Sequence, residues 1–417
     1  MFALCDQRSF YASCECIFRP DLRGRGVAVL SNNDGVCIAV NEFAKDVGVK
    51  KFEPYFKQRE LIERTGVTVF SSNFTLYGAV SDRIMQTVAR LTPAIEIYSI
   101  DECFTDLTGI SQDALKPLGH QLRDTVWKEQ RIPMGVSISP TKTLCKLGQY
   151  AAKKIPKING VAVLTQAHQW EWLAKRVAVA EVWGVGRRLN ASLTAMGVES
   201  AYDLTQLGKG VARKLGGLPL ERTVRELNGE HCIPFEFNPP SKQQIICSRS
   251  FGTKLYQLND VLESVTTFSV RVAEKLRNQE SLAGRVSVWL VSGQDQRSRL
   301  SAEASVNLPG GSDDSRLIAK EAIAIANQLF KPGCRYLKAG VGLVDIRPRE
   351  FWQRDMLSSP VSGTKNLMPV MDQINSKYGR HSVKLARQAG AASFSMKQEL
   401  LSPSYLTRWA DLPRIIC

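Results

Sequence analysis

Two carboxylates stand side by side in a stretch that otherwise reads as a half-buried strand, residues 95–107, IEIYSIDECFTDL. From 95 to 100 apolar and polar residues alternate, the period of a strand with one covered face. Asp101 and Glu102 interrupt it. Neighbouring side chains on a regular strand point to opposite faces, so two adjacent carboxylates serve one site only where the chain bends. Cys103, Phe104 and Leu107 resume the apolar pattern, which predicts a hairpin with the acid pair at its turn. On this stretch alone a solvated acidic turn is the competing reading, because acid pairs in turns are common.

The start of the chain weighs against that alternative. MFALCDQRSFYASCE opens with Phe2, Ala3, Leu4 and Cys5, a run typical of a buried strand, and Asp6 closes it. A carboxylate at the end of a core strand must be paired or bind a cation. Asp6, Asp101 and Glu102 at the ends of two neighbouring strands would form a hard oxygen site suited to Mg²⁺. Paired metals about 4 Å apart are a recurring device for phosphoryl transfer.

At 417 residues the chain has room for two to four domains. Its 44% hydrophobic and 23% charged content is that of a soluble globular protein, and no apolar run approaches the roughly 20 residues of a membrane span. No charged n-region leads into a long apolar stretch, so a cytoplasmic location is expected. The ten cysteines are scattered, without a CxxC pair, and there are four histidines. This argues against zinc and for free thiols in a reducing compartment. Net charge is +15, yet the first 100 residues hold 12 Lys and Arg against 11 Asp and Glu. The excess therefore lies after the acid pair, as later domains gripping a polyanion require. A generally basic soluble protein would carry the same charge.

The motifs MFALCDxxxFYASCE, LSNNDG, SxNxxLY, IEIYSIDE, TKTLxKL, AAKK and VWGVGRR, in this order and spacing, resemble the Y-family DNA polymerases, and within them the branch induced in the SOS response. The resemblance runs from Met1 to about Leu343 and is looser beyond. It implies an α+β, multidomain right-hand polymerase. The palm would comprise residues 1–24 and 76–165, an antiparallel sheet with helices on one face. The fingers would be 25–75, the helical thumb with a helix-hairpin-helix 166–234, the β-α-β little finger 243–348, and a partner-binding tail 349–417. The implied activity is error-prone, template-directed translesion synthesis on primer-template DNA with dNTPs. In it Asp6, Asp101 and Glu102 hold two Mg²⁺ ions, with the Gln7 carbonyl helping.

Residues Phe10–Phe18 read as a helix with Phe10 and Tyr11 at its start. Core packing is the ordinary role of adjacent aromatics. The resemblance makes Tyr11 a steric gate under the sugar of the incoming nucleotide, with Phe10 supporting it. Strands over 26–30 and 36–40 flank a polar turn, and a helix from Asn41 closes at Gly48. Lys45 on that helix matches a family phosphate contact, against the alternative of a solvated helix face. Glu42 stands where many relatives have a Tyr, which leaves Lys45 as the main contact there. Helices are expected over 81–91, 113–129 and 141–153, the last with an apolar stripe of Leu144, Leu147, Tyr150 and Ala151. A strand is expected over Met134–Ser139. Lys153 matches a family lysine that reaches the triphosphate, where a compact cation suits a transferring phosphate. Lys154 is the alternative contact, and either could simply be solvated.

In VWGVGRR, Gly184 and Gly186 open a turn and a helix runs on to Gly197. Free amides at a helix start cradle a backbone phosphate without reading sequence, and Arg187 and Arg188 follow at once. A plain tight turn is the alternative. Residues 235–242, with Pro239 and Pro240, read as a linker. Strands over 244–251, 285–292 and 336–343 alternate with helices over 261–277 and 314–330. Arg249, Lys254, Arg285 and Arg297 are candidate DNA-backbone contacts. The segment QRDML distantly resembles a sliding-clamp peptide through Gln353, Asp355, Met356 and Leu357. It departs from that pattern at Arg354 and Leu357, and a disordered linker is its alternative. The resemblance further implies a processed UmuD-like dimer and a RecA-type recombinase filament as partners, and a nucleoid-associated enzyme. Two other readings stand beside it: a catalytically inactive, polymerase-like DNA-binding adaptor, and a different two-metal enzyme such as a cyclase or nuclease. The thumb and little-finger motifs disfavour the latter.

Overall fold

The computed structural model describes residues 1–293, 300–351, 367–379, 381–388 and 396–412. Arg297 and the QRDML segment with Gln353, Asp355, Met356 and Leu357 lie outside the described residues. The chain divides into two compact units, Met1–Pro239 with Glu399–Cys417, and Pro240–Gln398. Among the described residues no helix is long and apolar enough to cross a membrane.

The first unit begins with β1 (Phe2–Gln7), α1 (Phe10–Phe18), β2 (Val27–Leu30), β3 (Cys37–Val40), α2 (Glu42–Asp46), α3 (Tyr55–Thr65), β4 (Thr68–Ser71) and α4 (Phe74–Leu91). It continues through β5 (Ala94–Ile97), β6 (Glu102–Asp106), α5 (Gln112–Gln130), β7 (Met134–Ser139), α6 (Lys142–Lys154) and β8 (Val161–Val163). It then turns helical, with α7 (Ala167–Ala174), α8 (Arg187–Ala195), α9 (Ala201–Thr205) and α10 (Lys209–Leu227).

Five strands form a sheet in the order β5-β6-β1-β7-β8. All six residues of β1 are buried, because it lies centrally between β6 and β7. The expected antiparallel sheet is found, except that β8 runs parallel to β7. The helices do not keep to one face. Ala3 and Cys5 pack with Phe10 of α1, Ile84 of α4 and Leu122 of α5. On the other face Phe2, Leu4 and Phe104 meet Cys145 of α6.

The reason lies in α6. Its apolar residues Leu144, Leu147 and Ala151 form a core with Leu173, Val177, Leu193 and Val224 of the helical region. Apart from Cys145, the stripe turned to the sheet is polar: Lys142, Lys146, Gln149 and Lys153 recur at the helical spacing. Gln149 donates to the Leu4 and Gly135 carbonyls at 2.7 and 3.1 Å. The helix can come this close because a Cβ on Gly148 would stand 1.9 Å from Ser137 Oγ.

A smaller sheet, β3-β2-β4, carries α2 and α3. Asn41 caps α2, its amide oxygen accepting from Ala44 N and Val27 N while its nitrogen donates to the Arg25 carbonyl. Neither α3 nor β4 follows from the motifs, and α4 begins at Phe74, capped by Asn73, rather than near Ser81.

The second unit runs β9 (Ile245–Leu255), α11 (Leu258–Asn278), β10 (Ser281–Ser292), β11 (Leu300–Ser312), α12 (Ser315–Leu329), β12 (Tyr336–Pro348) and α13 (Leu367–Tyr378). Its sheet has the order β11-β10-β12-β9, with α11 and α12 buried against it. The expected β-α-β order recurs, with β11 added. That strand is legible only poorly, since it is an edge with few buried residues and has Pro309-Gly310-Gly311 near its end. Arg277 holds Asp372 of α13 through two hydrogen bonds of 2.6 and 2.8 Å.

Candidate active site

The pairing of β1 with β6 sets Asp6 directly opposite Glu102. Asp101 is the last residue of the β5–β6 turn, and its carbonyl accepts from Gln7 N at 2.9 Å. Its carboxylate accepts from Ser99 Oγ at 2.7 Å. The bend allows adjacent acids to approach one strand end, as the sequence pattern requires. The Gln7 side chain is buried beside Met134, so only its main-chain carbonyl can serve the site.

Two ammonium groups from α6 reach this end of the sheet. Lys153 Nζ lies 2.7 Å from Asp6 Oδ2, and Lys146 Nζ lies 2.6 Å from Glu102 Oε2. Seven residues apart, they project from the same face two turns along the helix. Lys146 also sits above the rings of Tyr98 and Trp183. Burial pushes the Asp6 carboxyl up to about 7; Lys153 pulls it down, and the hydrogen bond with Glu102 pushes it up again. Burial also raises Glu102, but its hydrogen bonds with Asp6 and Lys146 and the lysine charges outweigh this and hold it below the ordinary value.

Among the described residues no three Asp, Glu, His or Cys side chains are gathered into a ready cage. The donor chemistry nevertheless fits a hard divalent cation. The set is all oxygen, and the buried Asp6–Glu102 pair calls for positive charge, here supplied by Lys146 and Lys153.

A cleft of about 700 Å³ gathers every catalytic, metal and nucleotide residue expected from the sequence: Asp6, Gln7, Phe10, Tyr11, Lys45, Asp101, Glu102 and Lys153. Lys154 lines it too. Phe10 is buried beneath the wall, whereas Tyr11 is partly open to the cleft and stacks on Tyr77, with centroids 4.6 Å apart. Lys45 is exposed on α2. Sequence reasoning missed Lys51 and Phe52 on the same rim. Phe52 is 69% exposed and holds φ at +67°, a strained conformation for a bulky residue and one associated with function. Its sequence signal was an aromatic beside Lys50 and Lys51, outside any apolar pattern. Lys146 lies in the TKTLxKL motif, but only the fold reveals its partner.

Gly184 and Gly186 precede α8, and Gly184 has φ +92°, which glycine adopts without strain. No side chain caps α8, and Arg187 and Arg188 at its start are exposed. Trp183 anchors the turn by donating to Tyr98 OH at 3.3 Å, edge-on to that ring. In the second unit Arg249 pairs across the sheet with buried Ala339 and lines a cleft with Phe268 and Arg271 of α11. Its side chain thus emerges on the helix-covered side. Lys254 is exposed beyond a register shift in β9, and Arg285 donates to Asn307.

Comparison with known proteins follows the same outline. The impB/mucB/samB family profile matches residues 5–149, and the C-terminal domain of that family matches residues 242–356. A domain of unknown function, DUF4113, matches residues 365–415. Protein UmuC of Salmonella typhimurium is 42% identical over 421 residues, covering 100% of both chains. The chain belongs to the impB/mucB/samB family. Another similar member, Protein MucB of Escherichia coli, is 43% identical and covers 99% of each chain. The fold is that of the Y-family DNA polymerases. A Y-family polymerase chimera of Dbh and Dpo4 superposes with a TM-score of 0.68 at 19% identity, over 83% of this chain and 99% of that one.

Proposed function

We propose that this family member is an error-prone DNA polymerase that copies damaged template in the SOS response by two-metal nucleotidyl transfer. That it is a DNA-directed DNA polymerase of the Y family follows from its family and fold. The observation that carries the finer reading is the convergence of Asp6, Asp101 and Glu102 with Tyr11, Lys45 and Lys153 on one cleft.

Asp6, Asp101, Glu102 and the Gln7 carbonyl would hold two Mg²⁺, which supply acidification of the primer hydroxyl and neutralisation of the triphosphate. Lys45, from the fingers side, and Lys153, released from Asp6, offer point charges to the phosphates. Lys146 keeps Glu102 ionised and aimed at the strand end. Tyr11 bounds the sugar, and its bulk excludes a 2′-hydroxyl that no hydrogen bond to the correct sugar could reject. The amides that open α8, with Arg187 and Arg188, grip the DNA backbone without reading bases, and Lys254 and Arg285 add charge from the second unit. The partners are a processed UmuD-like dimer, a RecA-type filament and a sliding clamp, and the setting is the cytoplasmic nucleoid.

Primer extension on plain and abasic templates, with and without the accessory dimer and recombinase filament, tests this reading. Extension past the abasic site is expected in the full mixture. DNA binding without any incorporation would favour the inactive adaptor instead.

A further inference from the structure

The segment at 399–412, inside the match to the domain of unknown function, returns to the first unit and ends behind the aromatic wall of the cleft. Leu400 exchanges two hydrogen bonds with Ser71 at the end of β4, of 2.8 and 3.0 Å. Tyr405 is buried and stacks on Phe18 of α1, with centroids 4.5 Å apart. Between these anchors lies Ser402, 4% exposed. Its hydroxyl accepts from Asn73 Nδ2 at 3.0 Å and donates to Glu15 Oε1 at 3.2 Å. The same oxygen accepts from Tyr77 OH at 2.6 Å. Glu15 has no exposed surface, and its other oxygen makes no hydrogen bond among the described residues. Two hydroxyls therefore hold this carboxylate, one of them from the far end of the chain. Tyr77 in turn lies flat against Tyr11, the planes 15° apart.

We propose that residues 399–412 act as a strap that fixes the Tyr11 ring for sugar selection, through Ser402, Glu15 and Tyr77 as positioning residues. This rests on the reading of Tyr11 as the sugar wall. A wall that excludes by bulk works only if it cannot yield, and small misplacements near a reacting centre are costly. Phe10 and Phe74 flank the Tyr11 ring at wide angles, and Tyr77 alone among these aromatics stacks on its face. The orientation of Tyr77 is set by the hydrogen bond of its hydroxyl to Glu15, and Glu15 is held by the strap. A strap that lifts away leaves a buried carboxylate with one partner and the tyrosine stack free to shift.

The test is single-nucleotide insertion by the full-length chain on primer-template DNA. The quantity read is kcat/KM for a deoxynucleotide over that for the matching ribonucleotide, with thermal midpoints measured alongside. Ser402→Ala and Tyr77→Phe should each lower the ratio about tenfold while the protein stays folded. Glu15→Gln keeps an acceptor for both hydroxyls and should hold the wild-type ratio, whereas Glu15→Ala should not. Tyr77→Phe removes a single oxygen, so a wild-type ratio in that variant overturns the relay even where a strap variant folds poorly. Loss in Tyr77→Phe with a wild-type ratio in folded Ser402→Ala would overturn the role of the strap. Wild-type ratios in both, beside a lowered ratio in Tyr11→Ala, would overturn the whole relay. An unchanged ratio in Tyr11→Ala itself would remove the Tyr11 reading, and the relay with it.

Discussion

Glu15 illustrates what a single buried charge does. Burial pushes its carboxyl up from 4.5 to about 6 against the hydrogen bonds of Tyr77 and Ser402. The folded chain holds that proton more tightly than the unfolded one, so its contribution to stability is complete below about pH 4.5 and is lost as pH rises through about 6. The thiols of Cys14 and Cys16 and the phenols of Tyr77 and Tyr405 around it are all shifted up, far above this window. The unfolding free energy of Glu15→Gln relative to wild type should therefore rise by about 2 kcal/mol between pH 4.5 and 7 and then stay level. Denaturant titrations across that range check it. At the cleft rim, Phe52→Ala should leave the fold intact and raise the KM for dNTP several-fold, as steady-state kinetics would show, if the exposed ring covers the base. Asp6, Asp101 and Glu102 were legible because carboxylates at the ends of apolar strands contradict their surroundings. Glu15 and Lys146 were not, because helical spacing hides a charge whose partners come from elsewhere. Ser402 lies 387 residues from Glu15.

Among the elements, α6 departs most from what periodicity implies. Its apolar stripe was readable, but which neighbour it covers was not, since the same stripe fits a sheet or a helical layer. The polar stripe turned to the sheet delivers Lys146 and Lys153 to the acid pair, and Gly148 permits the approach. Gly148→Ala should destabilise the chain by about 1–3 kcal/mol through overpacking against Ser137, measurable by thermal unfolding, and should lower incorporation by displacing both lysines. The strand β7 and the helix α1 were readable to the residue, and β1 to its start, running on past Asp6 to Gln7, because apolar runs or the aromatic start marked them. The helix α3, mostly exposed, and the edge strand β11 carry weak patterns, since little of either is buried.

At the scale of the molecule, the basic excess after the acid pair and the arginines opening α8 predict nearly sequence-independent DNA binding that weakens steeply with salt. Replacing Arg187 and Arg188 together by Ala should reduce the slope of log K against log salt by about 1–2. The tail expected as one partner-binding segment is split between units, with α13 on the second and the strap on the first. A truncation at residue 243 thus removes the strap as well as the second unit, and its loss of activity has two sources. The central claim is that Asp101 and Glu102 do chemistry rather than hold DNA. Single-nucleotide incorporation by Asp101→Ala and Glu102→Ala, each measured beside primer-template affinity, tests it most directly. Incorporation should fall below detection while affinity changes less than about threefold, since binding rests on the basic surfaces. Near-wild-type incorporation by either variant would contradict the account.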